Sequence, residues 1–263
     1  MLAEIGKRTL GAFGATVGVL VACGLVLGFL EGRATGYLYS VLGWGGIVFT
    51  GLVGTPIHEL GHLVMCWIFG FQVNEVALFR PVAGQTDGVL GYVNYAYDPS
   101  SLWQRLGCFF VGVAPMILGV AALLLLLRLL TPEVWASLRD RLGRALDQGK
   151  GPLGLAGAAF AGFFGGLARL RGWGLVRGVL CLYLLFSIST HMTLSPADLR
   201  GAAVGLLVVA VLCALFGVVT GLMKQDVVPA LKRTAATLTL FFGVGIAFAG
   251  MALAVFAVVA MVV

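Results

Sequence analysis

Long runs of apolar residues, each about as long as a membrane is thick, limit most strongly how this chain can fold. The runs are 11–30, 37–70, 103–130, 175–194, 201–223 and 235–263. About 20 apolar residues in a helix cross the hydrocarbon core of a bilayer. Only 11% of the residues are charged, whereas soluble proteins have about 25%. We therefore predict an all-α polytopic membrane protein with about six transmembrane helices.

The basic residues, which give the chain a net charge of +6, are concentrated in one loop. Between Arg128 and Arg177 there are eight Lys or Arg against three acids, and loops of this kind usually stay in the cytoplasm. No run of basic residues is interleaved with aromatic ones, so the sequence does not indicate a nucleic-acid partner. The partner that the composition does indicate is the lipid bilayer.

One segment, 71–100, differs in composition from the helices around it. Val73, Val76, Tyr92 and Tyr95 are β-prone residues, and turn formers separate the two pairs. This pattern predicts a small membrane-associated β-hairpin region. An ordinary extramembrane loop is the alternative.

The chain has no internal repeat and no polar segment long enough for an appended soluble domain. We therefore predict a single membrane domain over 1–263, with its core at 37–223. Residues 131–171 form a basic cytoplasmic or interfacial loop in this prediction. Its apolar, glycine-rich part, 152–168, is either a short span or an interfacial or re-entrant piece.

A metal-binding motif, H-E-x-x-H, lies inside the second apolar run as His58-Glu59-Leu60-Gly61-His62. Two histidines four residues apart share one face of a helix, where they can bind one Zn²⁺. The glutamate between them can act as general base on a metal-bound water. Several glycines and Pro56 precede the motif, which predicts a break or re-entrant entry at 37–54 and a metal helix that starts near Thr55.

A catalytic zinc site needs a third protein ligand and an open position for water. An H-E-x-x-H-x-x-G-x-x-H layout would require histidine at position 68, where Ile68 stands. Ionisable residues in apolar sequence are functional candidates by default. The two downstream candidates, His191 and Asp198, lie in a polar island between two apolar helices. Asp198 fits the third position better, and His191 remains the alternative.

Asp198 also has a purely structural interpretation. In Ser195-Pro196-Ala197-Asp198 a serine, a proline and an acid stand where a helix start has its N-cap, its first residue and its third residue. This is the pattern of a capping box, in which the acid stabilises the first turn of the helix. The sequence alone leaves capping and metal ligation as competing roles.

Together these residues resemble the site-2 protease family of intramembrane zinc metalloproteases. The resemblance covers His58–His62 in a membrane helix, the β-prone segment after it, the small-residue and proline pattern Gly112-Val113-Ala114-Pro115-Met116-Ile117-Leu118-Gly119, and Asp198. It implies that His58, His62 and Asp198 bind Zn²⁺ and that Glu59 activates water. It also implies that hairpins beside the site hold the substrate as an extended strand.

The chain departs from the family pattern around the aspartate. The family usually has Asn-Pro-type residues before Leu-Asp-Gly, whereas here Leu199 follows Asp198 directly. The resemblance implies that His191 takes the role of the family's asparagine, as a catalytic group that hydrogen-bonds the substrate or the oxyanion. The stretches Tyr92–Phe110 and Ser189–Gly201 look like an uncharacterised bacterial branch, which implies a multi-pass protein of the bacterial cytoplasmic membrane.

The function expected from these features is that of an intramembrane zinc endopeptidase acting on single-span or membrane-tethered proteins. A membrane metal-ion transporter is one alternative, although the chain has no histidine-rich loop. A catalytically inactive binder of membrane proteins is another, although the intact His58, Glu59, His62 and Asp198 argue against it. The sequence does not indicate an oligomeric state.

Overall fold

The computed structural model describes residues 2–262 and is mostly helical. Among these residues, four helical stretches are long and apolar enough to cross a membrane: Leu2–Phe69, Leu102–Leu130, Pro196–Leu222 and Val228–Val262. The elements in chain order are α1 (Leu2–Phe13), a π-helical turn (Gly14–Gly18), α2 (Val19–Phe69), β1 (Gln72–Ala77), α3 (Pro81–Asp87), β2 (Tyr92–Ala96), α4 (Leu102–Leu130), α5 (Pro132–Asp147), α6 (Pro152–Leu167), α7 (Trp173–Ser189), α8 (Pro196–Leu222) and α9 (Val228–Val262).

The first two predicted spans, 11–30 and 37–70, are joined by continuous helix rather than by a loop. The polar residues between them, at 31–36, are helical, and the helix breaks only at Gly43, whose φ of 56° favours glycine. A Cβ at Gly46 would lie 3.0 Å from Leu38 Cγ, so the chain folds back on itself at this break.

The prediction that the metal helix starts near Thr55 is wrong. The helix that contains His58 and His62 begins right after the break at Gly43, and Pro56 lies inside it. An internal proline removes one helical hydrogen bond, which apolar helices tolerate when neighbouring groups satisfy the freed backbone. The proline thus marks a local opening of the helix and not its first turn.

The predicted hairpin region is confirmed as a two-stranded antiparallel sheet. β1 pairs with β2 from Gln72 opposite Ala96 to Ala77 opposite Tyr92, with an irregularity between Val73 and Glu75. Between the strands, where the sequence pattern indicates only turn-forming residues, the structure has the short helix α3.

The connection from α3 to β2 is held by an acidic side chain. The carboxylate of Asp87 accepts a hydrogen bond from the Val89 backbone N–H at 2.9 Å and pairs with Arg80 at 2.9 Å. These contacts, the backbone hydrogen bond first, hold the pKa of Asp87 below its usual range. They fix the return of the chain toward β2.

The chain divides into two compact units. One contains everything up to Val120 and everything from Phe186 onward, and the other is Ala121–Leu185. In the second unit, α5 and α6 pack at close range, because a Cβ at Gly162 would lie 2.8 Å from Leu138 Cα. The predicted basic loop at 131–171 therefore consists largely of these two helices. The assignment of a single domain over 1–263 stays a prediction.

In the first unit, small residues bring helices into backbone contact around the metal motif. A Cβ at Gly61 of α2 would lie 3.1 Å from the Ala114 carbonyl of α4, and one at Gly112 of α4 would lie 2.6 Å from the Asp198 carbonyl of α8. Small residues at crossings of membrane helices permit this approach. The three elements that carry the candidate site are therefore held close together.

Candidate metal centre

Two histidines and one carboxylate meet where α2 and the start of α8 approach each other. His62 Nε2 lies 3.2 Å from His58 Nε2 and 3.2 Å from Asp198 Oδ1, and His58 Nε2 lies 3.7 Å from Asp198 Oδ2. Among residues 2–262, these three form the one group of His, Cys, Asp or Glu side chains that could hold a metal ion. The structure thus brings together the three predicted ligands.

The spacing of these donor atoms fits a metal of the size of zinc. Ligand atoms about 2.0 Å from a tetrahedral Zn²⁺ are about 3.3 Å from one another, close to the separations of 3.2, 3.2 and 3.7 Å observed here. Nitrogen and carboxylate oxygen are also donors that zinc accepts. The residues present therefore fit a zinc ion, although other divalent metals also bind imidazole.

His58 is oriented by the backbone of the segment that follows α7. Its Nδ1 lies 2.8 Å from the His191 carbonyl oxygen, so Nδ1 carries the proton and donates. The unprotonated Nε2 is then left to face the other ligands, as in metal-binding histidines whose second nitrogen is fixed by a hydrogen bond. In the described structure, His191 contacts the three-ligand group through its backbone carbonyl, which accepts a hydrogen bond from His58, and not through its ring.

The His191 ring turns back toward its own helix. Its Nδ1 lies 3.1 Å from the Ser187 carbonyl and 3.2 Å from Thr190 Oγ1. The ring is therefore not a member of the three-ligand group. Its predicted catalytic contact with substrate stays a prediction.

His62 is oriented by a carbonyl that a proline has freed. Its Nδ1 donates to the Val111 carbonyl of α4 at 2.9 Å. In a regular helix this carbonyl would accept from the N–H of residue 115, but Pro115 has no N–H. The close packing of Gly61 on Ala114 brings the freed carbonyl within reach of His62. The proline in the predicted small-residue pattern thus supplies a hydrogen-bond acceptor to a candidate ligand.

Pro115→Ala should weaken metal binding without removing a ligand. The introduced alanine would supply an N–H that competes for the Val111 carbonyl, so His62 would lose its fixed orientation. Loss of such an outer-shell contact typically costs about 10–100-fold in metal affinity. We expect this loss in a zinc competition titration with a chromogenic chelator.

The matched control for this variant is Pro229→Ala, at the start of α9, which should leave zinc affinity unchanged. Equal zinc affinities in the two variants would contradict this role of Pro115.

Asp198 caps α8 and also lies within the three-ligand group that could hold a metal ion. Its backbone N–H donates to Ser195 Oγ at 3.2 Å, and its Oδ2 accepts from the Ser195 backbone N–H at 2.7 Å, which completes a capping box. Its other oxygen, Oδ1, faces His62. The cap fixes the carboxylate so that Oδ1 faces His62 while the capping oxygen, Oδ2, lies 3.7 Å from His58 Nε2.

Glu59 lies beside the three-ligand group and is buried, with 6% of its surface exposed. The backbone at Gly91, just before β2, passes over it, because a Cβ there would lie 2.9 Å from Glu59 Cγ. One turn earlier, Thr55 Oγ1 is buried without a hydrogen-bond partner among the described atoms. The hairpin and the predicted base are therefore direct neighbours.

The helix of the motif is opened one turn before His58. The hydroxyl of Ser187 donates to the Thr50 carbonyl and accepts from the Gly54 N–H, the two groups that a regular helix pairs directly. A side chain inserted in this way bends a helix. Ser187 therefore ties the motif helix to the end of α7, four residues before His191.

Glu31 makes a part-buried carboxylate contact that sequence reasoning did not find. It lies in α2, just after the predicted span 11–30, and its Oε2 accepts a hydrogen bond from the Thr193 backbone N–H at 3.1 Å. The contact anchors the segment that connects His191 to Asp198. The sequence did offer a signal for this contact, because Glu31 is an acid beside a long apolar run. Acids are rarely placed in lipid without a polar partner.

Protein-family models, curated proteins and solved structures were all compared with this chain, and none of them matches it.

Proposed function

We propose that this protein is an intramembrane zinc endopeptidase of the site-2 protease type. The observation that carries the proposal is the convergence of His58, His62 and Asp198 at zinc-like spacing, with Glu59 next to His58 in the chain. The ligand helix belongs to a stretch apolar enough to cross a membrane. A hydrolytic site inside such a helix is suited to substrates that are themselves in or tethered to the membrane.

The metal would be held by the two Nε2 atoms and the Asp198 carboxylate. When bound, zinc acidifies water and polarises a carbonyl oxygen. Glu59 would accept the proton of the attacking water and pass it to the leaving amide nitrogen. The burial of Glu59 favours this role, because the surrounding protein holds the carboxylate in place and excludes competing water.

The substrate would be presented as an extended strand. A peptide bond inside a helix is covered by its own hydrogen bonds, so a membrane helix must unwind before it is cut. Backbone groups of the β1–β2 hairpin can pair with an unwound segment in the manner of strand addition. The approach of Gly91 to Glu59 puts such a segment near the base. The His191 ring and Thr55 Oγ1 are the polar groups available to bind its backbone.

The wider setting follows from this proposal. About six helices would cross the membrane, which in the bacterial branch is the cytoplasmic membrane. Peptide hydrolysis would then take place only around the motif, where His58, His62 and Asp198 each have a hydrogen bond to the backbone.

The proposal is tested with detergent-purified full-length protein and a single-span reporter carrying helix-breaking residues. We expect about one zinc per chain, as a three-ligand catalytic site requires, and cleavage within the reporter's span. Removal of the metal with a chelator should stop cleavage, and added zinc should restore it. Cleavage that resists the chelator, or protein without metal, would overturn the proposal. Metal flux into vesicles without cleavage would identify a transporter instead.

A further inference from the structure

A groove of about 660 Å³ opens at the far end of α8 from Asp198, where α1 passes the turn between α8 and α9. Its floor is apolar and includes Gly11, Gly14, Ala15, Leu231 and Ala235. Its volume is within the range of about 300–1,000 Å³ that is usual for small-molecule sites.

The groove is open at Gly14, whereas Leu231 packs on Gly11, where a Cβ would lie 3.1 Å from Leu231 Cδ1. No atom lies within 4 Å of the position that a Cβ on Gly14 would occupy. Gly14 also begins the π-helical turn that joins α1 to α2, and π-turns in helices are frequent at functional sites. An elongated apolar group can therefore lie along this face.

The rim of the groove is basic. It carries Lys7, Arg8, Lys224 and Lys232, against the acids Glu4 and Asp226. Glu4 pairs with Lys7 at 3.1 Å, and Asp226 accepts from the Val228 N–H at 3.1 Å, so both acids are engaged.

Two of the four cations are available to a ligand. Arg8 is occupied, since it donates to the Thr220 carbonyl at 2.8 Å and to that of Gln225 and so holds the turn against α1. Lys224 and Lys232 are exposed, and their ammonium groups have no hydrogen bond or ion pair with any residue in 2–262. The positive charge of the rim is therefore not neutralised within the described chain.

We propose that this groove binds an anionic phospholipid, with the phosphate between Lys224 and Lys232 and an acyl chain along Gly14 and Leu231. Only an amphiphile satisfies both the charged rim and the apolar floor, and basic pockets between membrane helices are suited to anionic headgroups. The site lies where α8 ends and α9 begins, and both helices are long and apolar enough to span a bilayer. The ends of such helices lie at the depth of the lipid headgroups. The proposal depends on membrane insertion but not on hydrolytic activity.

The test is lipid binding to the full-length protein in detergent, measured by native mass spectrometry with phosphatidylglycerol and with phosphatidylcholine. We expect phosphatidylglycerol to bind preferentially. The double variant Lys224→Gln/Lys232→Gln should bind it at least about tenfold more weakly, given the contribution of each basic residue near anionic lipid. The control Arg233→Gln removes one positive charge from a neighbour that does not line the groove and should bind phosphatidylglycerol normally.

A second pair of variants tests the apolar floor. Gly14→Leu should fill the groove and reduce phosphatidylglycerol binding, whereas Gly28→Leu, at an exposed glycine that also has nothing within 4 Å of its Cβ position, should not. Equal binding of the two lipids, or no loss in the lysine variant, would overturn the proposal. Competition by inorganic phosphate as strong as by the lipid would also overturn it, since the site would then hold a free anion. Glu59→Gln should leave lipid binding intact, which separates this test from that of the protease.

Discussion

Glu59→Gln is expected to abolish reporter cleavage while the protein keeps its zinc. Glutamine has the shape of glutamate but cannot accept the proton of the attacking water, and general-base catalysis typically contributes about 10²–10⁴-fold to a rate. We therefore expect cleavage to fall by roughly that factor. Zinc content should stay at the wild-type level, because Glu59 is not among the three residues whose ligand atoms converge.

The matched control for this prediction is Glu75→Gln. Glu75 is an exposed carboxylate of the hairpin that accepts a hydrogen bond from the Tyr92 hydroxyl at 2.6 Å, and it is not part of the three-ligand group. Its replacement should change cleavage little. Near-normal cleavage by Glu59→Gln would rule out Glu59 as the base. Loss of zinc together with loss of cleavage would instead show that Glu59 supports the metal site.

Asp198→Ala is expected to lose zinc and, with it, all cleavage. The substitution removes the only carboxylate of the three-ligand group and leaves two imidazoles, which do not complete a catalytic zinc site. The loss of affinity should exceed the roughly 10–100-fold that follows from removing an outer-shell contact. Zinc content after dialysis, and affinity by chelator competition, measure both effects.

Asp198 also caps α8, so a second variant must separate the two roles. Ser195→Ala removes the serine hydroxyl from the capping box but leaves the carboxylate facing His62. Loss of an N-cap side chain costs about 1 kcal/mol of stability, so Ser195→Ala should melt earlier than wild type and still bind zinc. If Asp198→Ala kept its zinc and His191→Ala lost it, the third ligand would be His191.

The candidate ligands could be predicted from the sequence because histidine and aspartate side chains are uncommon in apolar segments. The spacing of His58 and His62 fixes a shared helical face, and few polar residues downstream remained to complete the set. The structure brings Asp198 to that face. The geometry is compatible with both capping and ligation, because the Oδ2 atom that completes the capping box lies 3.7 Å from His58 Nε2 while Oδ1 lies 3.2 Å from His62 Nε2.

The contacts that orient the ligands could not be predicted, because they use backbone carbonyls. Every residue has a carbonyl, so its availability depends on local geometry rather than on residue type. The Val111 carbonyl is free because of Pro115, and the His191 carbonyl faces His58 because α7 ends just before it. Pro115 was visible in the sequence, but the histidine that it serves is on another helix.

The break predicted within 37–54 is present at Gly43, but the continuity of the helix through Glu31 was not predicted. The predicted spans 11–30 and 37–70 stop at polar residues such as Glu31, since a carboxylate is costly in lipid unless it has a partner. The partner is the backbone N–H of Thr193, 162 positions further along the chain. Tertiary contact therefore overrides the local signal.

The long separation in sequence between the parts of the metal centre sets the order in which the centre is completed during synthesis. His58 and the carbonyl that orients it are 133 residues apart, and Asp198 emerges from the ribosome later still. While the early helices enter the bilayer, the nascent chain has a pair of imidazoles and a glutamate but no third ligand. In the protease proposed above, the three-ligand group would therefore be complete only after most of the polypeptide has been synthesised.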